Sequence, residues 1–206
     1  MKNNERGSVF RFVSSAVVLI LAILASPALA QSADRPVVKV GDEWRFVEYT
    51  GSVPSKPNLV WVVTSVTPAG IEGTDNGGPL MLTPDLSILE SSMRKQSDPG
   101  ALRFPLEVGK QWSAAGDYFL KDNGVRGTIN GTRSVVGYEK VRVLAGEFDA
   151  FKLESTNDFK TDGGLSGVST RTYWYAPAAR AIVKEVWRDP YRGVATIELV
   201  EFTLRP

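Results

Sequence analysis

The stretch VRVLAGEFDAFKLES, residues 141–155, contains two short runs of alternating apolar and charged side chains around an Ala-Gly-Glu break. This alternation is typical of two half-buried strands, because successive side chains of a strand point to opposite faces. Gly146 supplies the backbone freedom that a chain reversal requires. The stretch therefore predicts a β-hairpin, with the acidic side chains of Glu147 and Asp149 at a solvated turn rather than in a reactive loop.

The same alternation continues on both sides of this hairpin. Turn signals such as the Asn-Gly of KDNG, residues 121–124, separate the runs. The pattern predicts a mainly β fold, in which one domain contains a curved antiparallel sheet of about ten strands, an open half-barrel or a barrel, with at most one or two short helices. The predicted strands cover residues 43–50, 58–66, 71–74, 112–120, 125–136, 139–144, 148–160, 168–176, 182–188 and 194–204.

Residues 83–96 contain the one helix candidate, TPDLSILESSM. Thr83 suits an N-cap, Pro84 suits the first helical position, and three apolar residues follow at helical spacing. The high serine content and the short length favour a strand equally, so both alternatives stay open.

The first thirty residues have the pattern of a secretory signal peptide. Positive charges begin the chain, residues 16–25 form an apolar run, and Ala-Leu-Ala at residues 28–30 supplies the small residues of a cleavage site. The alternative, an uncleaved membrane anchor, is disfavoured because spanning a bilayer takes roughly 20 apolar residues. The pattern predicts cleavage between Ala30 and Gln31 and a periplasmic or secreted domain over residues 31–206.

The charge balance excludes some partners. The chain has 24 basic and 23 acidic residues, and the first thirty residues hold three basic and one acidic residue, so cleavage leaves 21 and 22. A nearly neutral chain without a basic stripe lacks the electrostatic footprint of nucleic-acid binding. It also lacks a polybasic patch for a membrane surface. We expect neither kind of partner, and no transmembrane segment in the mature chain.

The absence of cysteine and histidine excludes several kinds of site. Disulfides, a lipid attached at an N-terminal cysteine, Cys/His zinc sites and Ser-His-Asp arrangements are all ruled out. Carboxylate chemistry, a Ser-Lys pair or oxygen-ligated calcium remain possible. The Asp-Asn-Gly segments lack the acidic spacing of an EF-hand loop, so the sequence predicts no metal, no cofactor and no catalytic residue.

Two similar hexapeptides, KVGDEW at residues 39–44 and EVGKQW at residues 107–112, each place Val-Gly before a strand that contains Trp. An internal duplication is one explanation. The simpler one is two strand-entry turns in which glycine permits the bend and tryptophan anchors the core. The glycines of TDGGLSG, residues 161–167, are wrongly spaced for a dinucleotide fingerprint, so this segment predicts a hairpin loop.

Aromatic side chains are concentrated in the predicted strands. One interpretation is a packed aromatic core, since Trp and Tyr dominate core burial. The other is a concave sheet face lined with aromatic side chains that holds an apolar ligand. Both interpretations stay open. On the second, the candidate ligand-binding residues are Trp44, Phe46, Trp61, Trp112, Tyr173 and Tyr175.

Three segments together carry a family resemblance: FPLEVGKQW (104–112), GYEKVRVLAGEFDAFKLES (137–155) and YWYAPAARAIVKEV (173–186). In this order and spacing they resemble an uncharacterised family of exported bacterial proteins, known only as a domain of unknown function. The resemblance implies a curved antiparallel half-barrel like those that carry lipoproteins or lipids across the bacterial periplasm. The chain departs from it at residues 178–181, where AARA stands in place of a Gly-containing turn. The family has no established active site, so no catalytic residue is implied.

Three hypotheses follow. The first is a non-enzymatic periplasmic half-barrel that binds a lipid-like or hydrophobic group on its concave face. The second is a cell-envelope assembly module that presents a sheet face or edge to a protein partner, without a small ligand. The third is a glycan hydrolase in which a carboxylate pair such as Glu139 and Glu154 converges in a cleft, about 5 to 10 Å apart.

Overall fold

The computed structural model describes residues 31–54 and 56–206 of the chain. Fourteen strands and one turn of 3₁₀ helix, Pro177–Ala179, make up its regular structure. The strands are β1 (Ser32–Ala33), β2 (Glu43–Tyr49), β3 (Leu59–Thr67), β4 (Gly70–Asp75), β5 (Gly78–Leu82), β6 (Ile88–Glu90), β7 (Arg94–Gln96), β8 (Leu106–Glu107), β9 (Gln111–Leu120), β10 (Arg126–Val143), β11 (Gly146–Thr161), β12 (Ser166–Ala176), β13 (Ala181–Asp189) and β14 (Gly193–Thr203). The predicted signal peptide and its cleavage site at Ala30 lie outside the described residues.

Twelve of the strands form one closed antiparallel barrel, and β1 and β8 form a separate two-stranded sheet. Barrel neighbours follow the order of the chain from β2 to β14, leaving out β8, and β14 pairs with β2 to close the ring. The predicted mainly β fold is confirmed. The barrel is the correct alternative and the open half-barrel is not, because strand pairing continues from each barrel strand to the next until β14 meets β2.

The prediction of about ten strands was low for a physical reason. The short strands β5, β6 and β7 have three to five residues each, which is too short for a clear period. One difference instead lowers the number of strands. The predicted strands 125–136 and 139–144 are a single strand, β10, with an irregularity between Val135 and Gly137. A β-bulge shifts the alternation by one residue without ending the strand.

The hairpin predicted from VRVLAGEFDAFKLES is confirmed. Strands β10 and β11 pair from Gly127 with Thr161 down to Val143 with Gly146. Glu147 and Asp149 lie beyond the turn, exposed, with the Lys140 ammonium 3.8 Å and 3.2 Å from their carboxylates. Exposed ion pairs of this kind contribute little to stability. The acidic residues therefore decorate the outer surface of the hairpin, as predicted.

For residues 83–96 the strand alternative is correct, and the helix is wrong. Thr83 stabilises a tight turn instead of a helix: the backbone N–H of Ser87 donates to Thr83 Oγ1 at 3.0 Å, and that of Leu86 donates to the Thr83 carbonyl oxygen at 2.9 Å. Leu86 has φ +62°, in the left-handed region that a helix cannot continue through. Strands β6 and β7 follow this turn.

Both Val-Gly-containing hexapeptides form strand-entry turns, as predicted. Gly41 and Gly109 have φ +86° and +94°, which favours glycine. Trp44 then enters the core, where its indole N–H donates to the Ala179 carbonyl oxygen at 2.8 Å. Trp112 is held on the inner side of β9, where its indole N–H donates to the Gly100 carbonyl oxygen at 2.8 Å.

The connection from β7 to β9, residues 97–110, packs against the inner face of the barrel wall. Leu102 and Leu106 on this connection are fully buried, in one cluster with Phe151 and Tyr175 of the wall. The connection therefore fills part of one half of the barrel interior with a solid core.

The 3₁₀ turn packs through Ala179 in the core cluster that contains Trp44, and the sequence AARA, residues 178–181, forms the end of this turn. Arg180 takes the left-handed position after the turn, with φ +51°, where the family resemblance implied a glycine. Such a conformation is unfavourable for a residue with a side chain. The Arg180 guanidinium lies 3.2 Å from the Asp42 carboxylate, an ion pair that offsets this strain.

Candidate ligand-binding cavity

A cavity of about 490 Å³ occupies the half of the barrel that the 97–110 connection does not fill. Three turns line its mouth, one from each of the hairpins β9/β10, β11/β12 and β13/β14, through Asn123, Gly163 and Tyr191. Pro99 and Ala101 of the inner connection line its floor. The volume falls within the range of about 300–1,000 Å³ that is usual for small-molecule sites.

One wall of this cavity is apolar and is built mainly by β2, β3, β5 and β6. Inward positions of adjacent strands place Trp44 opposite Trp61 and Phe46 opposite Leu59. The Phe46 and Trp61 rings meet edge to face, with centroids 5.3 Å apart. The side chains that form this wall are Trp44, Phe46, Leu59, Trp61, Leu82 and Ile88.

The structure divides the six candidate ligand-binding residues between the cavity and the core. Four of them, Trp44, Phe46, Trp61 and Tyr173, line the cavity. Trp112 and Tyr175 instead pack in the cluster that covers the inner connection, where the Tyr175 ring lies 5.1 Å from that of Phe104. Both interpretations of the aromatic residues thus describe part of the molecule, and ligand binding by the four stays a prediction.

The opposite wall carries charged side chains that the aromatic pattern did not single out. Arg171 on β12 and Glu185 on β13 form an ion pair at 2.9 Å, and both side chains are largely buried. The Arg171 guanidinium also lies 5.0 Å from the centre of the Trp187 ring, a cation–π distance.

Arg133 is the most buried of these cations, with an exposed fraction of 3%. Its guanidinium donates to the carbonyl oxygens of Thr132, at 3.2 Å, and Pro99, at 3.0 Å, while its Nε atom has no partner. Within the described part of the chain no carboxylate lies at ion-pair distance from it. Burial lowers the pKa of Arg133. A buried cation without a counter-ion is costly.

Arg94 on β7 adds a third guanidinium. Burial, together with the nearby positive charge of Arg171, lowers the pKa of Arg94 to about 10, so the side chain stays charged at neutral pH. It contacts Gln96 Oε1 at 3.3 Å and lies 5.8 Å from the centre of the Tyr118 ring. Like Arg133, it has no carboxylate at ion-pair distance among the residues that the structure describes.

Three further buried polar atoms of residues that line the cavity have no hydrogen-bond partner within the described protein. They are Trp61 Nε1, Trp187 Nε1 and Asn157 Oδ1. Native proteins leave few such atoms unpaired, because each unmade hydrogen bond is unfavourable. The cavity therefore offers hydrogen-bond donors and an acceptor beside its apolar surface. The sequence contained a partial signal for Arg133. It lies four residues after Ile129 on β10, so the two side chains point to the same face of the strand.

Glu48 faces the same region and predicts a pH dependence of stability. Burial, followed by the negative charge of Glu185, raises the pKa of Glu48 from 4.5, against the lowering effect of Arg171. The folded state then binds more protons than the unfolded state above about pH 4.5, so this group lowers stability as the pH rises through its folded pKa. Glu48→Gln should therefore raise the melting temperature at neutral pH, and the gain should disappear at about pH 4. Thermal unfolding at both pH values measures this, and an unchanged or lower melting temperature at neutral pH would contradict it.

The carboxylate pair considered for glycan hydrolysis is not in the cavity. Glu139 and Glu154 are absent from its lining, and Glu139 Oε1 accepts from the indole N–H of Trp174 at 2.8 Å, with the Lys152 ammonium 3.6 Å away. No group of three or more acidic side chains placed to hold a metal ion occurs among the described residues.

Comparison with known proteins supports the fold. No protein-family model and no curated protein matches the chain. Among solved structures of similar fold, a Bacteroides fragilis protein, described provisionally as exported with a YmcC-like fold, has 18% identity and a TM-score of 0.55, covering 83% of this chain and 99% of its own. A provisionally assigned lipoprotein of Parabacteroides distasonis has 14% identity and a TM-score of 0.55, covering 84% and 100%.

Identities this low show the fold alone. At that level the predicted resemblance to uncharacterised exported bacterial proteins is confirmed. The present chain contains no cysteine, so the lipid-bearing cysteine of a bacterial lipoprotein has no counterpart in it. Among the described residues, no helix has both the length and the apolar character needed to cross a bilayer.

Proposed function

We propose that this protein is a non-enzymatic binding protein of the bacterial cell envelope, which holds a lipid-like or other hydrophobic group inside its barrel. The observation that carries the proposal is the cavity of about 490 Å³, with one wall formed by Trp44, Phe46, Leu59 and Trp61. Burying an apolar ligand against such a wall is favourable by roughly 25 cal/mol per Å² of apolar surface removed from water.

Its place outside the cytoplasm rests on two independent supports. One is the signal-peptide pattern at the start of the sequence, with the predicted cleavage after Ala30. The other is the description of structurally similar proteins as exported or as a lipoprotein. Together they favour a periplasmic or secreted location.

A protein partner without a small ligand is the weaker alternative. Strand addition needs an exposed sheet edge, and each of the twelve barrel strands already pairs with a strand on both sides over at least part of its length. The cavity, moreover, has no role in such a module. Partner binding therefore stays an outcome of the test below rather than a second proposal.

Filling the cavity should weaken the binding of an apolar probe. Ile129 lines the cavity on β10, so Ile129→Trp places a bulky ring in the space that a ligand would occupy. We expect the affinity for N-phenylnaphthylamine, a neutral apolar fluorophore, to fall roughly tenfold or more, which corresponds to about 1.4 kcal/mol. A fluorescence titration measures it.

The matched control is Thr128→Trp. Thr128 is adjacent on the same strand but exposed on the outer face, so the same ring is added outside the barrel. This variant should bind the probe like the unmodified protein. Equal probe affinity of the Ile129 and Thr128 variants would contradict the proposal, provided that both retain the cooperative unfolding of the parent.

The natural ligand class can be sought directly. Native mass spectrometry of residues 31–206, purified from the periplasm without detergent, should show a stoichiometric added mass, and organic extraction should release it. A clean protein mass together with absent probe binding would contradict the proposal and turn the search to protein partners.

A further inference from the structure

The lining of the cavity carries an excess of positive charge, although the chain as a whole is nearly neutral. Among the residues described, its lining contains five arginines and two acidic residues, Glu185 and Asp189. The entire sequence, in contrast, has a formal net charge of +1. The arginines of the lining are Arg94, Arg133, Arg171, Arg180 and Arg192.

Two of these arginines are at one level of the barrel. Arg133 on β10 and Arg171 on β12 both pair with Ser155 of the intervening strand β11. Their backbones are thus two strand spacings apart, about 10 Å. Arginine side chains are long enough to reach across such a span towards one small group between them.

The contacts of Arg133 and Arg171 show which of the two lacks a counter-ion within the described protein. Arg171 is paired with Glu185, whereas Arg133 has only carbonyl partners and an unpaired Nε atom at an exposed fraction of 3%. Nearly dry guanidinium groups bind carboxylates and phosphates through short charge-assisted hydrogen bonds.

We propose that the ligand is an anionic amphiphile, whose carboxylate or phosphate group lies between Arg133 and Arg171 while its apolar chain lies against Trp61, Phe46 and Leu59. This inference rests on the proposed function, since it assigns the chemical class of the group that the cavity holds. The anion supplies the counter-charge that Arg133 lacks, and the two unlike walls orient the molecule.

A series of ligands with one chain and different head groups tests the assignment. Laurate, lauryl phosphate, lauryl alcohol and lauryltrimethylammonium share the same alkyl chain, and each can compete with N-phenylnaphthylamine at concentrations below micelle formation. We expect the better of the two anions to bind roughly tenfold or more tightly than the alcohol, and the cation to bind most weakly. The ranking of laurate against lauryl phosphate separates a fatty-acid source from a lipid-phosphate source.

Arg133→Met tests the residue itself. Methionine keeps much of the apolar stem without the charge, so this variant should retain alcohol and probe binding and lose most of the preference for the anion. The control is Arg188→Met, because Arg188 is exposed on β13 and absent from the cavity lining. This control should keep the full preference.

The outcomes separate the two proposals. If probe and alcohol bind but neither anion binds more tightly than the alcohol, the anionic assignment is overturned and the hydrophobic-carrier proposal stands. If neither the probe nor any lauryl compound binds, both are overturned. Should Arg133→Met fail to fold, the head-group series on the unmodified protein still decides, because it needs no variant.

Discussion

Asp42→Ala should lower the free energy of unfolding by about 3–5 kcal/mol, as removal of one partner of a buried ion pair does. The Asp42 side chain has an exposed fraction of 0%. Its carboxylate accepts from the backbone N–H groups of Lys39, at 2.9 Å, and Arg205, at 2.7 Å, and from the Arg180 guanidinium at 3.2 Å. Alanine leaves two backbone donors without their acceptor and the Arg180 guanidinium without its counter-ion.

Thermal and urea unfolding measure this loss, and for a chain of this size we expect the melting temperature to fall by about 10 °C. Arg180→Gly is the informative comparison. It removes the same ion pair from the other side, but glycine relieves the left-handed backbone conformation and leaves both backbone donors paired with Asp42. It also leaves the buried Asp42 carboxylate without its cation, but that carboxylate keeps both backbone donors, so we expect a smaller loss than for Asp42→Ala. If Asp42→Ala and Arg180→Gly lowered the free energy of unfolding equally little, the hydrogen bonds accepted by the Asp42 carboxylate would not be a main source of stability.

Gly131→Ala should destabilise the barrel by ~3 kcal/mol, at the upper end of the usual effect of overpacking. Gly131 pairs with Asn157 across β10 and β11, and a Cβ atom there would lie 2.0 Å from the Thr156 carbonyl oxygen and 2.9 Å from Asn157 Cα. Both are backbone atoms of the neighbouring strand. Relief therefore requires the two longest strands of the barrel to separate locally.

Gly137→Ala is the matched control for this substitution. Gly137 is on the same strand, past the bulge, and no atom lies within 4 Å of an added Cβ. Since its backbone is outside the left-handed region, alanine there should be neutral or stabilise by about 0.4–1 kcal/mol through the unfolded chain. Urea unfolding of the two variants measures the difference, and similar midpoints would show that the close approach at Gly131 is not the cause.

Local sequence patterns predicted the structure correctly where residues close together in the chain determine it. The β10/β11 hairpin follows from alternation around Gly146, and the strand-entry turns follow from Val-Gly before a strand. Residues 83–96 could not be decided this way, because Thr83 and Pro84 suit a tight turn as well as a helix. The left-handed conformation of Leu86, which ends any helix there, has no signal in the sequence.

The cavity was only partly predictable for a different reason. Alternation says which side chains share a face, but not what covers that face. Trp112 and Tyr175 share the inner face with cavity residues, yet the 97–110 connection packs on them. No local sequence pattern predicts that an irregular segment lies inside a barrel. Arg133 likewise occupies an inward position, and its burial depends on that same connection through Pro99.

The pairing of β14 with β2 has a consequence for the order of events during folding. Every other barrel pairing joins barrel strands that follow one another along the chain, with β8 intervening only between β7 and β9, so these pairs can form without the two ends of the barrel sequence meeting. The final seam joins Glu43 with Thr203, the first and last residues of the barrel. Nearly the whole barrel sequence must therefore be available before the wall can close, and the barrel has no enclosed interior until β14 pairs with β2.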